Sequence, residues 1–166
     1  MRGLAVTTTL AMLGFATPSL AAEGAFLKSM NGSWSGKGTV TTRIGAKPVR
    51  VTCNLDFNSG ATNLAMDGNC RGLVVVNRSI SANIKASGTR YNGTYTGPSG
   101  QPSSLSGSRQ GNAINLAVRW AKETNGDRSA TMTIAKLSDN RLRLQTIDKD
   151  PKSGKSVVTS SIDLSR

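Results

Sequence analysis

The feature of this chain that most limits its fold is a two-residue alternation of apolar and polar side chains. Between Val49 and Phe57, every second residue is apolar or a cysteine, and the residues between them are polar. Similar alternation returns at 114–120 and again at 158–164. Because successive side chains of a β-strand point to opposite faces of a sheet, this pattern predicts strands that bury one face and expose the other.

The alternating segments follow one another closely, with turn signals such as Asn58-Ser59-Gly60 and Asn125-Gly126-Asp127 between them. We count about nine or ten such segments, joined by links short enough for antiparallel neighbours. We therefore expect an all-β fold with residues 22–166 in a single domain. The sheet either closes into an up-and-down barrel or folds as a sandwich, and closure is favoured because it removes the sheet edges. The one helical element expected is a brief turn over 25–30.

The first strand begins near Trp34, and Trp34, Gly36, Gly38 and Val40 share one of its faces. A tryptophan followed in phase by two glycines indicates a strand that crosses a crowded place, where side chains from elsewhere need room. The alternative is an ordinary core tryptophan beside flexible glycines.

The first 21 residues have the pattern of a cleaved secretory signal peptide. Arg2 supplies the positive start, 4–15 is apolar, and Pro18-Ser19-Leu20-Ala21 places small residues before a cut ahead of Ala22. The apolar run is too short to span a bilayer, and no other stretch of the sequence is long and apolar enough to do so. We therefore expect a periplasmic protein without a transmembrane segment.

The two cysteines, Cys53 and Cys70, both lie after the predicted cut. In an oxidising compartment they are expected to form one disulfide, which closes a loop of about 18 residues and contributes about 3 kcal/mol. A tight turn at 58–61 would place Cys53 opposite Met66, out of reach of Cys70. The connection is therefore longer, around 58–65, or a bulge or a non-adjacent pairing intervenes.

The chain is strongly basic, with a formal net charge of +12. Such a surface attracts anionic partners. Because export makes nucleic acid an improbable partner, lipopolysaccharide or acidic polysaccharide fits better, although a high charge can also serve solubility alone. The basic residues that mostly fall on outward phases or turns are Arg50, Lys85, Arg119, Arg141, Arg143, Lys149, Lys152 and Lys155.

Signals for catalysis are weak. The sequence contains no histidine, so neither a Ser-His nor a Cys-His pair nor a histidine metal site can form. Asp148 and Asp150 flank Lys149 and could act as paired carboxylates or hold calcium, but a solvated hairpin end is the favoured interpretation. Glu123 is the one glutamate expected in the folded body. We predict no catalytic residues, no metal and no cofactor.

The early Gly32-Ser33-Trp34 on the first strand resembles the signature of the calycins, the superfamily of lipocalins and avidins. The resemblance implies a barrel whose tryptophan closes one end, with a basic residue of the last strand packed across it, here Arg166. It also implies a small-ligand carrier as one possible function, with a cavity near Trp34, Tyr91, Tyr95 and Trp120. The aromatic set that would surround biotin is missing.

The segment from Trp34 to Cys70 is also similar to small periplasmic inhibitors of bacterial metalloproteases, which are calycin-like barrels with one disulfide. The matching features are Gly-x-Trp, Cys53-Asn54-Leu55 and the run 64–70 that ends in Cys70. This resemblance implies a protease as partner. The family enters its target with an N-terminal Ser-Leu-Arg, where this chain has Ala22-Glu23-Gly24.

Overall fold

A computed structural model describes residues 20–73 and 76–166. The predicted signal peptide lies outside the described residues except for its last two positions. Among the residues described, no helix is long and apolar enough to cross a membrane. The elements are α1 (Leu20–Lys28), β1 (Gly32–Val40), β2 (Val49–Ser59), β3 (Asn63–Gly72), β4 (Val76–Ser87), β5 (Arg90–Thr96), β6 (Pro102–Gln110), β7 (Ala113–Thr124), β8 (Asp127–Ser138), β9 (Arg141–Lys149) and β10 (Ser156–Ser165).

The strands form a closed antiparallel barrel in which each strand pairs with its neighbours in sequence. The barrel closes through β1, which pairs with both β2 and β10, so that Gly36 lies opposite Cys53 on one side and Leu164 on the other. This confirms the predicted all-β, up-and-down barrel over the sandwich alternative. The apolar phase of each strand faces inward and forms one continuous core.

The two glycines after Trp34 allow the first strand to lie against the last. A Cβ at Gly36 would lie 1.9 Å from the carbonyl oxygen of Asp163, and one at Gly38 would lie 2.1 Å from that of Ser161. The crowding predicted for this strand therefore exists, but the backbone of β10 causes it rather than side chains from elsewhere.

The predicted disulfide is present between Cys53 and Cys70, which lie directly opposite each other on β2 and β3. In this register Asn58 faces Ala65, as in the longer of the connections considered from the sequence. The strands nevertheless extend further than expected, and the chain reverses through residues 60–62, with the amide of Gly60 bonded to the carbonyl of Asn63.

The N-terminal helix is longer than the brief turn predicted from the sequence. It runs from Leu20 to Lys28, with Glu23 in the first turn and Lys28 in the last, as the helix dipole favours. Leu27 and Met30, which follow the helix axis into the barrel, are completely buried. The segment 22–24, which the sequence suggested was a free arm, is part of this helix, and Glu23 belongs to the folded body.

Candidate functional site: the two ends of the barrel

The barrel has two different ends. The helix end carries α1 and the short connections at 60–62, 88–89, 111–112 and 139–140. The loop end carries the other five connections, at 41–48, 73–75, 97–101, 125–126 and 150–155. Because strands of an up-and-down barrel alternate in direction, every second turn of the sequence lies at the same end.

At the helix end, Glu23 is fixed by two residues of the barrel wall. Arg109 donates from Nε and Nη2 to its carboxylate at 2.9 and 2.8 Å, and the hydroxyl of Tyr91 donates to Oε1. The Arg109 guanidinium also lies 4.6 Å from the ring centre of Phe26. Only 3% of the Glu23 side chain and 16% of the Arg109 side chain are exposed. These contacts fasten the helix across the barrel opening.

The surroundings of Glu23 shift three pKa values. Burial raises the pKa of Glu23, but the hydrogen bonds from Arg109 and Tyr91, with the charge of Arg109, outweigh burial and lower it below its usual 4.5. Burial and the neighbouring carboxylate raise the pKa of Tyr91 well above its ordinary value. The hydrogen bond to Glu23 raises the pKa of Arg109. The cluster is therefore an ionised pair with a neutral tyrosine at neutral pH.

Trp34 completes this closure. Its indole Nε1 donates to the carbonyl of Met30 at 2.9 Å, and the Arg166 guanidinium lies 4.4 Å from the ring centre. Arg166 also donates to the carbonyls of Asn31 at 2.5 Å and Asp139 at 2.7 Å. The packing of Arg166 across Trp34, implied by the calycin resemblance, is confirmed. The helix end is thus sealed by contacts within the protein.

At the loop end, a short polar network crosses the barrel interior. The rings of Tyr95 and Trp120 meet edge to face with their centres 6.3 Å apart. Trp120 Nε1 donates to Oδ1 of Asp148 at 3.2 Å, and the hydroxyl of Thr159 donates to Oδ2. Burial raises the pKa of Tyr95 to about 12. Asp148 itself is buried, with 3% of its surface exposed.

The expectation that Asp148 sits at a solvated hairpin end is therefore wrong. Its strand continues inward in phase with Leu142 and Leu144, and a β-bulge around Thr159 on the neighbouring strand brings that hydroxyl to the carboxylate. Asp150 does lie at the turn, where it accepts a hydrogen bond from Ser153 Oγ at 2.6 Å. In the described part of the chain, no group of three or more histidine, cysteine or acidic residues is placed to hold a metal ion.

The four aromatic residues proposed to surround a ligand do not share one cavity. Trp34 and Tyr91 close the helix end, whereas Tyr95 and Trp120 lie towards the loop end. Between them is an internal cavity of about 40 Å³, lined by Tyr95 and mostly apolar side chains. That volume holds one or two water molecules. Pockets for small-molecule ligands typically measure about 300–1,000 Å³.

The largest depression of the described surface, about 690 Å³, is an open groove on the outside of the barrel near the β3–β4 and β5–β6 connections. Asp56 and Asp67, which lie opposite each other, contribute to its lining together with Asn69, Arg78 and Ser79. No aromatic side chain lines the groove. The groove therefore lacks the apolar surface that most ligand pockets present.

The basic residues identified from the sequence divide between the two ends. Those towards the loop end are Arg50, Arg119, Lys149, Lys152 and Lys155, and those towards the helix end are Lys85, Arg141 and Arg143. Arg143 is paired with Asp163 at 2.7 Å, so it is the member of the set with a charged partner.

Sequence reasoning missed four further basic residues that lie in loop-end connections or beside them: Arg43, Lys47, Lys122 and Arg128. Contacts between these connections hold them side by side. The amide of Ile44 donates to Oδ1 of Asn125 at 2.9 Å, and a Cβ on Gly126 would lie 2.7 Å from Pro151. We call the basic side chains brought together in this way the basic loop cluster: Arg43, Lys47, Lys122, Arg128, Lys149, Lys152 and Lys155.

The ion pairs found among residues 20–73 and 76–166 are all at the helix end. They join Arg109 to Glu23, Lys136 to Asp139, and Arg143 to Asp163. No member of the basic loop cluster takes part in one of these pairs. The exposed acidic residues in the same connections are fewer: Glu123, Asp127 and Asp150. The loop end therefore presents an excess of positive charge that the described protein does not neutralise.

Two solved structures share this barrel. Rv2717c from M. tuberculosis superimposes with a TM-score of 0.68 and 15% sequence identity, covering 89% of this chain and 99% of that one. The S-type phycobiliprotein lyase CPES from Guillardia theta has a TM-score of 0.54 and 14% identity, covering 84% of this chain and 89% of the other. Both likenesses fit a calycin-like barrel, and at these identities they extend to the fold alone. No protein-family model and no curated protein sequence matches the chain.

Proposed function

We propose that this chain is a non-enzymatic binding protein of the bacterial cell envelope, which contacts an anionic polymer or surface through the basic loop cluster. Export to the periplasm, predicted from the leader, makes lipopolysaccharide or acidic polysaccharide the expected partner. The observation that carries the proposal is the contrast between the two ends. Ion pairs concentrate at the helix end, and the unpaired basic loop cluster lies at the other.

The buried ionisable groups support binding rather than catalysis. The buried carboxylates of the described residues are Glu23 and Asp148. Arg109 and Tyr91 hold the first, and Trp120 and Thr159 hold the second. A general acid or base must reach a substrate proton, whereas each of these groups is occupied by a contact that ties one element of the barrel to another. The lyase activity in the name of CPES belongs to that protein.

The other candidate functions have less support. An inhibitor that inserts its N-terminus needs a free arm, but a Cβ on Gly24 would already lie 3.2 Å from Ala61 and Glu23 is buried. A carrier of small hydrophobic ligands needs far more space than the cavity of about 40 Å³ beside Tyr95.

The proposal is tested by measuring how the purified protein binds heparin, a soluble polyanion, over a range of salt concentrations. The variant reverses three charges of the basic loop cluster: Lys149→Glu, Lys152→Glu and Lys155→Glu. The matched control makes the same change in net charge at the helix end, at three exposed residues without ion pairs: Lys85→Glu, Arg90→Glu and Arg141→Glu.

Each lost cationic contact lowers the slope of log K against log salt by about 0.7, so the loop-end variant is expected to lose about 2 from that slope. The helix-end control should retain most of the binding. Equal losses in the two variants would mean that net charge, rather than the cluster, is responsible. Binding by the wild-type protein that does not respond to salt would also contradict the proposal.

A further inference from the structure

The connection between β3 and β4 differs from the rest of the loop end because it is apolar. β3 ends at Gly72 and β4 begins at Val76, and the sequence between them is Leu73-Val74-Val75. Leu73 is 68% exposed and Val76 is 37% exposed. We call these two described residues the apolar tip. Leu73 is the most exposed of the large hydrophobic side chains in the described part of the chain.

The backbone at Leu73 supports a specific conformation of this turn. Its φ is 47°, in the left-handed region, which a leucine seldom occupies. Leucine is therefore an unfavourable choice at this position for the turn itself, since glycine or asparagine would fit without strain. A strained, exposed leucine is better explained by a contact outside the barrel than by the stability of the hairpin.

Arginines flank the apolar tip on both strands. Arg71 lies opposite Asn77 and Arg78 lies opposite Cys70, so the two guanidinium groups leave from the same end of the hairpin. Both side chains are exposed, and neither is in an ion pair with a described residue. The connection next to this hairpin around the loop end is 41–48, which contributes Arg43 and Lys47 to the basic loop cluster.

One partner offers both an anionic surface and an apolar layer directly beneath it: a bilayer that contains anionic lipid. We propose that the loop end docks on such a bilayer, with the apolar tip inserted below the headgroups and with Arg71, Arg78 and the basic loop cluster against the headgroup phosphates. A soluble polysaccharide would use the cations but would leave Leu73 in water. Insertion removes its apolar surface from water, which favours binding.

This inference rests on the proposed function and narrows its partner to a lipid surface. The charges supply attraction of about 1 kcal/mol for each cation near an anionic membrane. The apolar tip supplies a second, salt-insensitive contribution. Shallow surface association commonly combines such a pair of signals, because neither one alone holds a protein stably.

The test measures sedimentation of the purified protein with phosphatidylcholine vesicles that contain about one third phosphatidylglycerol, alongside heparin binding. The variant is Leu73→Ser. The matched control is Leu137→Ser, because Leu137 is also an exposed leucine, 45% exposed, but follows the strand towards the helix end. Circular dichroism and the melting temperature verify that both variants fold.

We expect Leu73→Ser to weaken vesicle binding about tenfold, which corresponds to about 1.4 kcal/mol, and to leave heparin binding unchanged. Leu137→Ser should change neither. In a second variant, Leu73→Trp, the new indole should shift its fluorescence emission to shorter wavelength when anionic vesicles are added, and pure phosphatidylcholine should not produce the shift.

Three results would overturn the inference while leaving the proposed function intact. These are heparin binding without vesicle binding, vesicle binding that Leu73→Ser does not weaken, and a concentration-dependent dimer that Leu73→Ser abolishes, which would assign the tip to a second copy of the chain. Loss of salt-dependent binding to both heparin and vesicles in the wild-type protein would instead remove the proposed function together with the inference.

Discussion

Replacing Glu23 by Gln tests whether the N-terminal helix is a structural part of the barrel. The carboxylate accepts hydrogen bonds from Arg109 at 2.8–3.0 Å and from the hydroxyl of Tyr91, and its side chain is only 3% exposed. Glutamine keeps the shape but removes the charge, which leaves the guanidinium of Arg109 without a partner of opposite sign. It also turns amide hydrogens towards groups that are themselves donors.

Removing one member of a buried ion pair typically costs about 3–5 kcal/mol. Because 16% of the Arg109 side chain reaches solvent and can recover some hydration, we expect the lower value, about 3 kcal/mol. For a domain of this size the melting temperature should fall by about 6–12 °C. The assay is thermal unfolding at neutral pH followed by circular dichroism.

The matched control is Glu123→Gln, the same substitution at the chain's other glutamate, which is exposed near the β7–β8 turn. The control should change the melting temperature by about 2 °C or less, as most surface substitutions do. If Glu23→Gln is no more destabilising than the control, the ion pair does not fasten the helix and our account of the helix end is wrong.

The same pair predicts a pH dependence with a definite sign. The pKa of Glu23 is lower in the folded protein than its usual 4.5, so its contribution to stability is complete above that value. The contribution is lost as the pH falls below 4.5 and through the folded-state pKa. The difference in melting temperature between the wild-type protein and Glu23→Gln should therefore be largest at neutral pH and should shrink in acid. A difference that grows in acid would contradict the lowered pKa.

Three further substitutions test other parts of the barrel. Replacing Cys53 and Cys70 together by Ser opens a cross-link between positions 17 residues apart and should lower the free energy of unfolding by about 3 kcal/mol in urea titrations, and a reducing agent should then no longer affect the protein. Arg166→Lys keeps the charge but loses the planar group over Trp34, so unfolding should become about 1 kcal/mol easier and the tryptophan near-ultraviolet circular dichroism should change. Asp148→Asn places an amide donor against the Trp120 or Thr159 donor and should cost about 1–3 kcal/mol in thermal unfolding, whereas Asp127→Asn at the exposed β7–β8 turn should be nearly neutral.

The barrel could be predicted from the sequence because burial of one face of a sheet leaves a direct trace, the two-residue alternation. Short links then require antiparallel neighbours, which leaves few topologies. The disulfide followed from the compartment and from the phase of Cys53 and Cys70, although its register was one of several alternatives. The turn at 60–62 decided among them by keeping both strands extended up to Ser59 and Leu64.

The polar contacts inside the barrel were harder to predict. Glu23 and Arg109 are separated by 86 residues, and nothing near Glu23 in the sequence shows that it will meet a cation. Asp148 had a usable signal, because it is in phase with the inward-facing Leu142 and Leu144. That signal was missed because the neighbouring turn suggested that the strand had already ended. The bulge at Thr159 adds one residue to its strand, and no pattern of apolar residues marks it.

The arrangement of charge helps to separate the two explanations of the basic composition. Solubility requires net charge, but it does not require that charge to be collected at one end, where like charges repel one another and destabilise the fold. At the helix end Arg109, Lys136 and Arg143 each have an acidic partner, whereas the basic loop cluster does not. The same end exposes Leu73 in an unfavourable backbone conformation. Unpaired cations and a strained, exposed leucine both reduce the stability of the isolated protein, and both become favourable when an anionic surface with an apolar layer is present. Their occurrence together at one end of the barrel therefore favours binding over solubility as the explanation.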